Sequence, residues 1–236
     1  MAIVFVAMGF ATAFADPEKP EPVGAKPWFK EHLAQVRTLR AAPPGGVVFL
    51  GDSLTAFWTT QGVGSWTLDL KEAGFSPVNL GIAADRVEHM HYRARLLDFS
   101  AAKPKVVVIL AGTNNLGKNP PDDPAAVARG VRSLVKTLRR RSPGSKILVL
   151  SVPPSGFEPE TALRKNIRAL NAALADAAKE DGCAWLDVHD RFIDSEGRWK
   201  PGLTVDGTHF SARGYDVLAA PVKETLAELI RGAETP

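Results

Sequence analysis

Five short runs of apolar residues recur along the chain and alternate with longer segments of helical periodicity. The runs occupy residues 47–50, 77–80, 106–110, 147–152 and 183–188. Apolar residues spaced three and four apart occupy residues 28–39, 85–97, 124–140, 161–179 and 211–230. A continuous apolar run indicates a strand buried on both faces, as in a parallel sheet covered by helices. The alternation therefore predicts an α/β fold, a three-layer α/β/α sandwich around a five-stranded parallel sheet.

The charge of the chain argues against a nucleic-acid partner. There are 29 Lys and Arg residues against 26 Asp and Glu, a formal net charge of +3, and the two signs are interspersed. The densest basic run, residues 139–141, ends a predicted helix, where cations complement the helix dipole. We therefore interpret it as a solvated helix end. The length of 236 residues suits one domain with a sizeable core.

The N-terminus has the pattern of a secretory signal peptide. Residues 2–14 are apolar but too short to span a bilayer, and residues 13–15 form an A-x-A cleavage pattern. No Lys or Arg precedes the apolar run, so a disordered or anchoring tail stays open as an alternative. We predict a signal peptide over residues 1–15 cleaved after Ala15, a linker over residues 16–26 and a folded domain over residues 27–236. The protein would then be secreted or periplasmic, with no stable membrane insertion after cleavage.

Polar motifs follow three of the predicted strands, and a fourth lies before the last helix. They are residues 51–54 (Gly-Asp-Ser-Leu), 79–85, 112–115 (Gly-Thr-Asn-Asn) and 206–209 (Asp-Gly-Thr-His). Each alone has an ordinary explanation as a turn, a helix cap or a loop. Ligands bind at the carboxyl ends of parallel strands, so the four motifs should converge on one edge of the sheet. Their joint placement by chance is improbable, and it predicts a functional site there.

The chemistry of these motifs is complementary. Ser53, on a strand-to-helix turn, would be exposed at the sheet edge with its N–H available to hold an oxyanion. The Asn114 amide can donate to developing negative charge. Asp206, three residues before His209, can orient the imidazole.

The four motifs resemble those of the SGNH (GDSL) hydrolase superfamily. Within it, the chain is most similar to the catalytic subunits of platelet-activating-factor acetylhydrolase and their bacterial esterase relatives. The resemblance covers residues 47–230 and extends beyond the motifs, to residues 103–106 (Lys-Pro-Lys-Val) and 163–166 (Leu-Arg-Lys-Asn). It implies a flavodoxin-like sheet and makes residues 27–236 an SGNH hydrolase catalytic domain.

The resemblance also implies a role for each site residue. Ser53 would be the nucleophile, His209 the base, and Asp206 the group that holds the His209 tautomer. The oxyanion hole would comprise the N–H of Ser53, the N–H of Ala84 and the side chain of Asn114. Residue 84 is a departure, because Gly usually precedes the Asp of this motif. A negative φ would leave the Ala84 N–H usable, whereas a positive φ would strain the residue.

The expected activity is hydrolysis of short-chain esters, acetyl esters above all, by acyl transfer to Ser53 and attack of water. The substrate would be a small ester, either an acetylated carbohydrate or a lipid-derived ester. Lysophospholipase-like and acyltransferase activities on the same triad stay open, as does a non-catalytic binding module. No cofactor is expected. No metal is expected either, since His89 and His91 are two residues apart on a predicted helix and do not face each other.

Overall fold

The computed structural model describes residues 16–232, and these residues contain a five-stranded sheet. Its strands are β1 (Val47–Gly51), β2 (Pro77–Gly81), β3 (Val106–Leu110), β4 (Lys146–Leu150) and β5 (Ala184–Leu186). All neighbouring strands are parallel, in the spatial order β2-β1-β3-β4-β5. This order is the flavodoxin-like one, with its switch point beside β1. The predicted fold class is confirmed.

Helices cover both faces of the sheet. They are α1 (Lys26–Arg40), α2 (Ser53–Ala56), α3 (Val63–Ser65), α4 (Val87–Leu96), α5 (Thr113–Gly117), α6 (Pro124–Arg141), α7 (Ala162–Glu180) and α8 (Ala212–Arg231). The long helices α1, α4, α6 and α7 contribute to the core on one face, and α8 with the short turns after β1 covers the other. The five helical patterns in the sequence match α1, α4, α6, α7 and α8 to within two residues at each end.

The two faces of the sheet have separate cores because side chains alternate along each strand. In β1, Val48 and Leu50 join one apolar cluster, and Val47 and Phe49 join the other. All five residues of β1 are buried. Burial on both faces explains why the strand is a continuous apolar run in the sequence rather than an alternating one.

The stretch after β1 is built from short turns rather than one regular helix. Helix α2 passes into a 3-10 turn (Phe57–Thr59), then α3, then a π-helical turn (Trp66–Lys71). Trp58 and Trp66 are buried there and contact each other edge to face. A Cβ atom on Gly62 would lie 2.4 Å from the ring of Tyr215, so the backbone packs directly against α8. These turns wrap around the buried indoles, and the segment carries no amphipathic period.

The segment predicted as a linker packs against the domain. Residues 16–25 contain no helix or strand, and α1 begins at Lys26. The Glu21 N–H donates to the Glu88 carbonyl at 3.1 Å, and Glu18 pairs with Arg129 at 2.7 Å. The predicted signal peptide, residues 1–15, lies outside the described residues. Within residues 16–232 no helix combines the length and apolarity that a bilayer span requires.

Candidate active site

Ser53 begins α2, directly after the carboxyl end of β1. Asp52 is the N-cap of that helix, and its side chain accepts a hydrogen bond from the Leu54 N–H at 2.9 Å. The turn is tight: a Cβ atom on Gly51 would lie 2.0 Å from the Thr55 hydroxyl. Only glycine fits at that position, so the Gly-Asp-Ser order follows from the packing of the strand end against the helix.

His209 and Asp206 lie beside Ser53. The Ser53 hydroxyl is 3.0 Å from Nε2 of His209, and Nδ1 of His209 is 2.7 Å from a carboxylate oxygen of Asp206. The other Asp206 oxygen accepts the N–H groups of His209, at 2.7 Å, and Thr208, at 2.9 Å. The structure therefore brings together the three residues that the sequence placed 153 and 3 positions apart.

The hydrogen bonds to Asp206 keep its carboxylate ionised. Partial burial raises the pKa of Asp206, but the bonds from the His209 ring and from two backbone N–H groups outweigh it, and the net pKa is lowered. An ionised Asp206 fixes the proton on Nδ1 of His209. Nε2 is then free to accept the proton of the Ser53 hydroxyl.

Two backbone N–H groups at this edge are available as oxyanion donors. Within residues 16–232, the N–H groups of Ser53 and Ala84 donate no hydrogen bond to a protein acceptor. Ala84 lies in the exposed loop after β2, and its φ is 63°. This is the left-handed region, where a Cβ atom costs free energy. The strained conformation considered for Ala84 is therefore the one that the backbone adopts.

The Asn114 side chain contacts two of the other motifs, residues 51–54 and residues 79–85. It follows Gly112, whose φ of 126° turns the chain after β3. Its Nδ2 donates to the Asp85 carbonyl at 2.9 Å and is 3.4 Å from a carboxylate oxygen of Asp52. The amide thus holds the loop that carries Ala84 against the turn that carries Ser53, and its second N–H makes only the long contact to Asp52.

A buried ion pair between Asp85 and Arg93 lies next to the carboxyl ends of β1 and β2. Asp85 is completely buried, pairs with Arg93 at 2.6 Å and accepts the Trp28 indole N–H at 2.7 Å. Burial raises the pKa of Asp85 although Arg93 opposes the effect. Arg93 also donates to the carbonyls of Leu80 and Gly51, the ends of β2 and β1. The network ties the loop of Ala84 and Asp85 to the ends of β2 and β1.

Asp52 is a second buried carboxyl at this edge of the sheet. Complete burial and, to a lesser degree, the nearby Asp85 carboxyl raise its pKa to about 7, against the opposing effect of the Leu54 N–H. Sequence reasoning treated Asp52 as a turn residue and did not single out Arg93. For Arg93 a signal existed: it lies three residues after Met90 and four before Leu97, on the buried apolar face of α4.

The histidines that raised the question of a metal have structural partners. His89 Nδ1 accepts the Arg86 N–H at 3.1 Å, and His91 Nε2 is 2.9 Å from the Thr137 hydroxyl. Burial and the charges of Arg86 and Arg93 lower the pKa of His89 to about 4. In the described part of the chain, no three His, Cys, Asp or Glu side chains are grouped as metal ligands would be.

Trp199 packs beside the loop that carries Asp206 and His209. It is buried, and its indole N–H is shared between the carbonyls of Gly156, at 3.2 Å, and Gly207, at 3.1 Å. It therefore joins the loop after β4 to the loop of Asp206 and His209. Trp199 supports the Asp206–His209 loop from inside the protein rather than offering a surface to a ligand.

A Ser-His-Asp arrangement at the carboxyl edge of a parallel sheet is the arrangement of hydrolases that transfer an acyl group to a serine. Residues 49–217 match the GDSL-like Lipase/Acylhydrolase family. The chain belongs to this family and is a carboxylic-ester hydrolase. Membership of this family argues against the alternative of a non-catalytic binding module.

Individual relatives agree with the family. The platelet-activating factor acetylhydrolase IB subunit alpha2 of Rattus norvegicus is 28% identical over 235 residues, covering 98% of this chain and 96% of the relative. A GDSL-like lipase from Bacteroides thetaiotaomicron has a similar structure, with a TM-score of 0.71, 22% identity and coverage of 85% and 97%. A carbohydrate acetylesterase from Sinorhizobium meliloti gives a TM-score of 0.61, 18% identity and coverage of 78% and 99%. The two structures support the fold.

Proposed function

We propose that this protein is a serine esterase that hydrolyses short-chain esters, acetyl esters above all, with Ser53, His209 and Asp206 as its catalytic triad. The observation that carries the proposal is the unbroken chain of contacts from the Ser53 hydroxyl to His209, at 3.0 Å, and from His209 to Asp206, at 2.7 Å. Both distances are within hydrogen-bond reach without rearrangement.

The reaction follows from these positions. His209 Nε2 takes the Ser53 proton as the serine oxygen bonds to the ester carbonyl carbon. The negative charge on the former carbonyl oxygen is held by the N–H groups of Ser53 and Ala84 and by the Asn114 amide. His209 then gives its proton to the departing alcohol oxygen, and the acyl group stays on Ser53. Water attacks the acyl-enzyme by the same sequence, which releases the carboxylic acid and restores Ser53.

Preference for a small acyl group is supported by Ala84. Its methyl group is exposed on the loop after β2, whose Ala84 N–H we assign to the oxyanion hole, at a position where Gly usually precedes the Asp of this motif. A methyl beside the acyl group should disfavour longer chains, and one methylene in an apolar pocket changes kcat/KM by roughly 10–200-fold. The names of the rat acetylhydrolase and the Sinorhizobium acetylesterase point the same way for those proteins.

A panel of p-nitrophenyl acetate, butyrate and octanoate tests the acyl preference. We expect acetate to exceed butyrate by about tenfold or more in kcat/KM, and octanoate to be poor. If octanoate is the best substrate, the acetyl-esterase proposal is wrong and a lysophospholipase-like activity replaces it. Running the acetate reaction with and without an acceptor alcohol separates hydrolysis from acyl transfer, since acyl transfer yields a new ester.

We propose that residues 1–15 are a signal peptide cleaved after Ala15. The enzyme would then be secreted or periplasmic, and its substrates would be acetylated carbohydrates or lipid-derived esters outside the cytoplasm. The pattern that supports this is the apolar run followed by Ala-Phe-Ala. N-terminal sequencing of the protein recovered from its producing cells tests it. A mature chain that begins at Asp16 is the expected result, and a chain that retains Met1 would contradict the proposal.

A further inference from the structure

Two exposed apolar side chains flank the triad acid. Phe157, on the loop after β4, has 59% of its surface exposed, and Val205, directly before Asp206, has 60% exposed. A Cβ atom on Gly207 would lie 3.1 Å from the Phe157 ring, so the ring rests against the backbone between Asp206 and Thr208. We call Phe157 and Val205 the apolar rim.

The rim is fixed to the catalytic loop. The Gly156 N–H donates to the Gly207 carbonyl at 2.8 Å, and the hydroxyls of Ser155 and Thr208 are 2.7 Å apart. The buried Trp199 indole N–H bonds the carbonyls of both glycines. On the other side, the Val205 N–H donates to the His209 carbonyl at 3.0 Å. Both rim residues are therefore held at fixed positions relative to His209.

The side of the triad on which the rim lies determines which half of the ester it meets. The carbonyl oxygen must face the N–H groups of Ser53 and Ala84. The departing alcohol oxygen must face Nε2 of His209, which protonates it. The rim borders the loop that carries His209, so an alcohol group that His209 protonates would depart on the rim side.

We infer that the apolar rim is a binding surface for the alcohol half of the substrate, and that it selects esters of bulky ring alcohols that turn a CH-rich face to Phe157. An aromatic ring held at a fixed position loses little conformational entropy when it binds, and its face attracts C–H groups. A small alcohol such as ethanol is too short to cover the ring. This inference rests on the proposed esterase function.

Two acetyl esters that differ only in the alcohol, ethyl acetate and cyclohexyl acetate, test the inference. In Phe157→Ala, kcat/KM for cyclohexyl acetate should fall about 3- to 10-fold, mainly through KM, the size of a single aromatic contact. Ethyl acetate should change by less than twofold. Phe157→Trp should retain the preference. Leu96→Ala is the matched control, because Leu96 is 50% exposed at the far end of α4, away from the triad, and neither ester should respond.

An equal loss with both esters would mean that Phe157 only supports the loop, and no loss with either would mean that the alcohol does not meet the rim; both results overturn the inference. Saturation-transfer NMR of cyclohexyl acetate with Ser53→Ala gives a readout independent of turnover. We expect saturation of the cyclohexyl protons that Phe157→Ala weakens in the same background, whereas Leu96→Ala leaves it unchanged. Failure of the esterase proposal would instead appear as ester hydrolysis that Ser53→Ala leaves intact.

Discussion

Replacing Ala84 by glycine should stabilise the protein, although glycine usually destabilises. Ala84 has a φ of 63°, and a non-glycine residue in this region costs about 1–2 kcal/mol. Glycine removes that cost. It also increases the conformational entropy of the unfolded chain, which lowers the free energy of unfolding by about 0.4–1 kcal/mol. The Ala84 side chain is exposed, so its removal leaves no cavity in the core. The net expectation is a gain of about 0–1.6 kcal/mol in the free energy of unfolding, centred at ~0.8 kcal/mol, which corresponds to roughly 2–3 °C in Tm.

The neighbouring residue provides the control. Ala83 is also exposed in the same loop and is not among the residues with positive φ. Ala83→Gly should therefore lower the free energy of unfolding by about 0.4–1 kcal/mol. Urea unfolding of the two variants beside the unmodified protein measures both changes. If Ala84→Gly destabilises as much as Ala83→Gly, Ala84 carries no strain and the reasoning from its backbone fails.

Three further substitutions probe the supporting residues. The pKa of Asp52 is raised to about 7, so its carboxyl binds a proton more tightly in the folded state than in the unfolded state. Its contribution to the free energy of unfolding is therefore fully present below about pH 4 and falls by up to about 4 kcal/mol as the pH rises to 7. Asp52→Asn, which keeps an acceptor for the Leu54 N–H, should flatten that pH-stability profile, and an unchanged slope would contradict the assignment. Asn114→Ala should lower kcat by about 10²–10³-fold with little change in KM; a change mainly in KM would make Asn114 a ground-state binding residue. Arg93→Met leaves the Asp85 carboxylate buried without its cation and should lower the free energy of unfolding, measured in urea, by about 3–5 kcal/mol. The double variant Arg93→Met/Asp85→Asn should recover part of that loss; no recovery would mean that the pair contributes through packing alone.

The regular elements were predictable because their burial is simple. The central strands β1, β3 and β4 are buried on both faces over nearly their whole length, so they appear as apolar runs. Each long helix buries one face, so it carries a helical period. The convergence of Ser53, Asn114 and His209 followed from the same logic, since the carboxyl ends of parallel strands share one edge.

Features set by tertiary contacts were not predictable in this way. The short turns of residues 53–71 are shaped by packing around Trp58 and Trp66, which leaves no period in the sequence. The positive φ of Ala84 depends on how its loop closes over the strand ends, so sequence reasoning could state it only as one of two alternatives. The raised pKa of Asp52 requires knowing that its carboxyl is completely buried beside Asp85. Local sequence contains none of these distances.

The central claim is that Ser53 is the nucleophile that His209 activates, and the most direct measurement is kcat for p-nitrophenyl acetate in Ser53→Ala, His209→Ala and the double variant. Each single variant should lose about 10⁴-fold or more while its circular dichroism spectrum and Tm stay close to those of the unmodified protein. The double variant should be little slower than either single variant, since the two residues act as one unit. Near-normal turnover in Ser53→Ala, or losses that multiply in the double variant, would contradict the account.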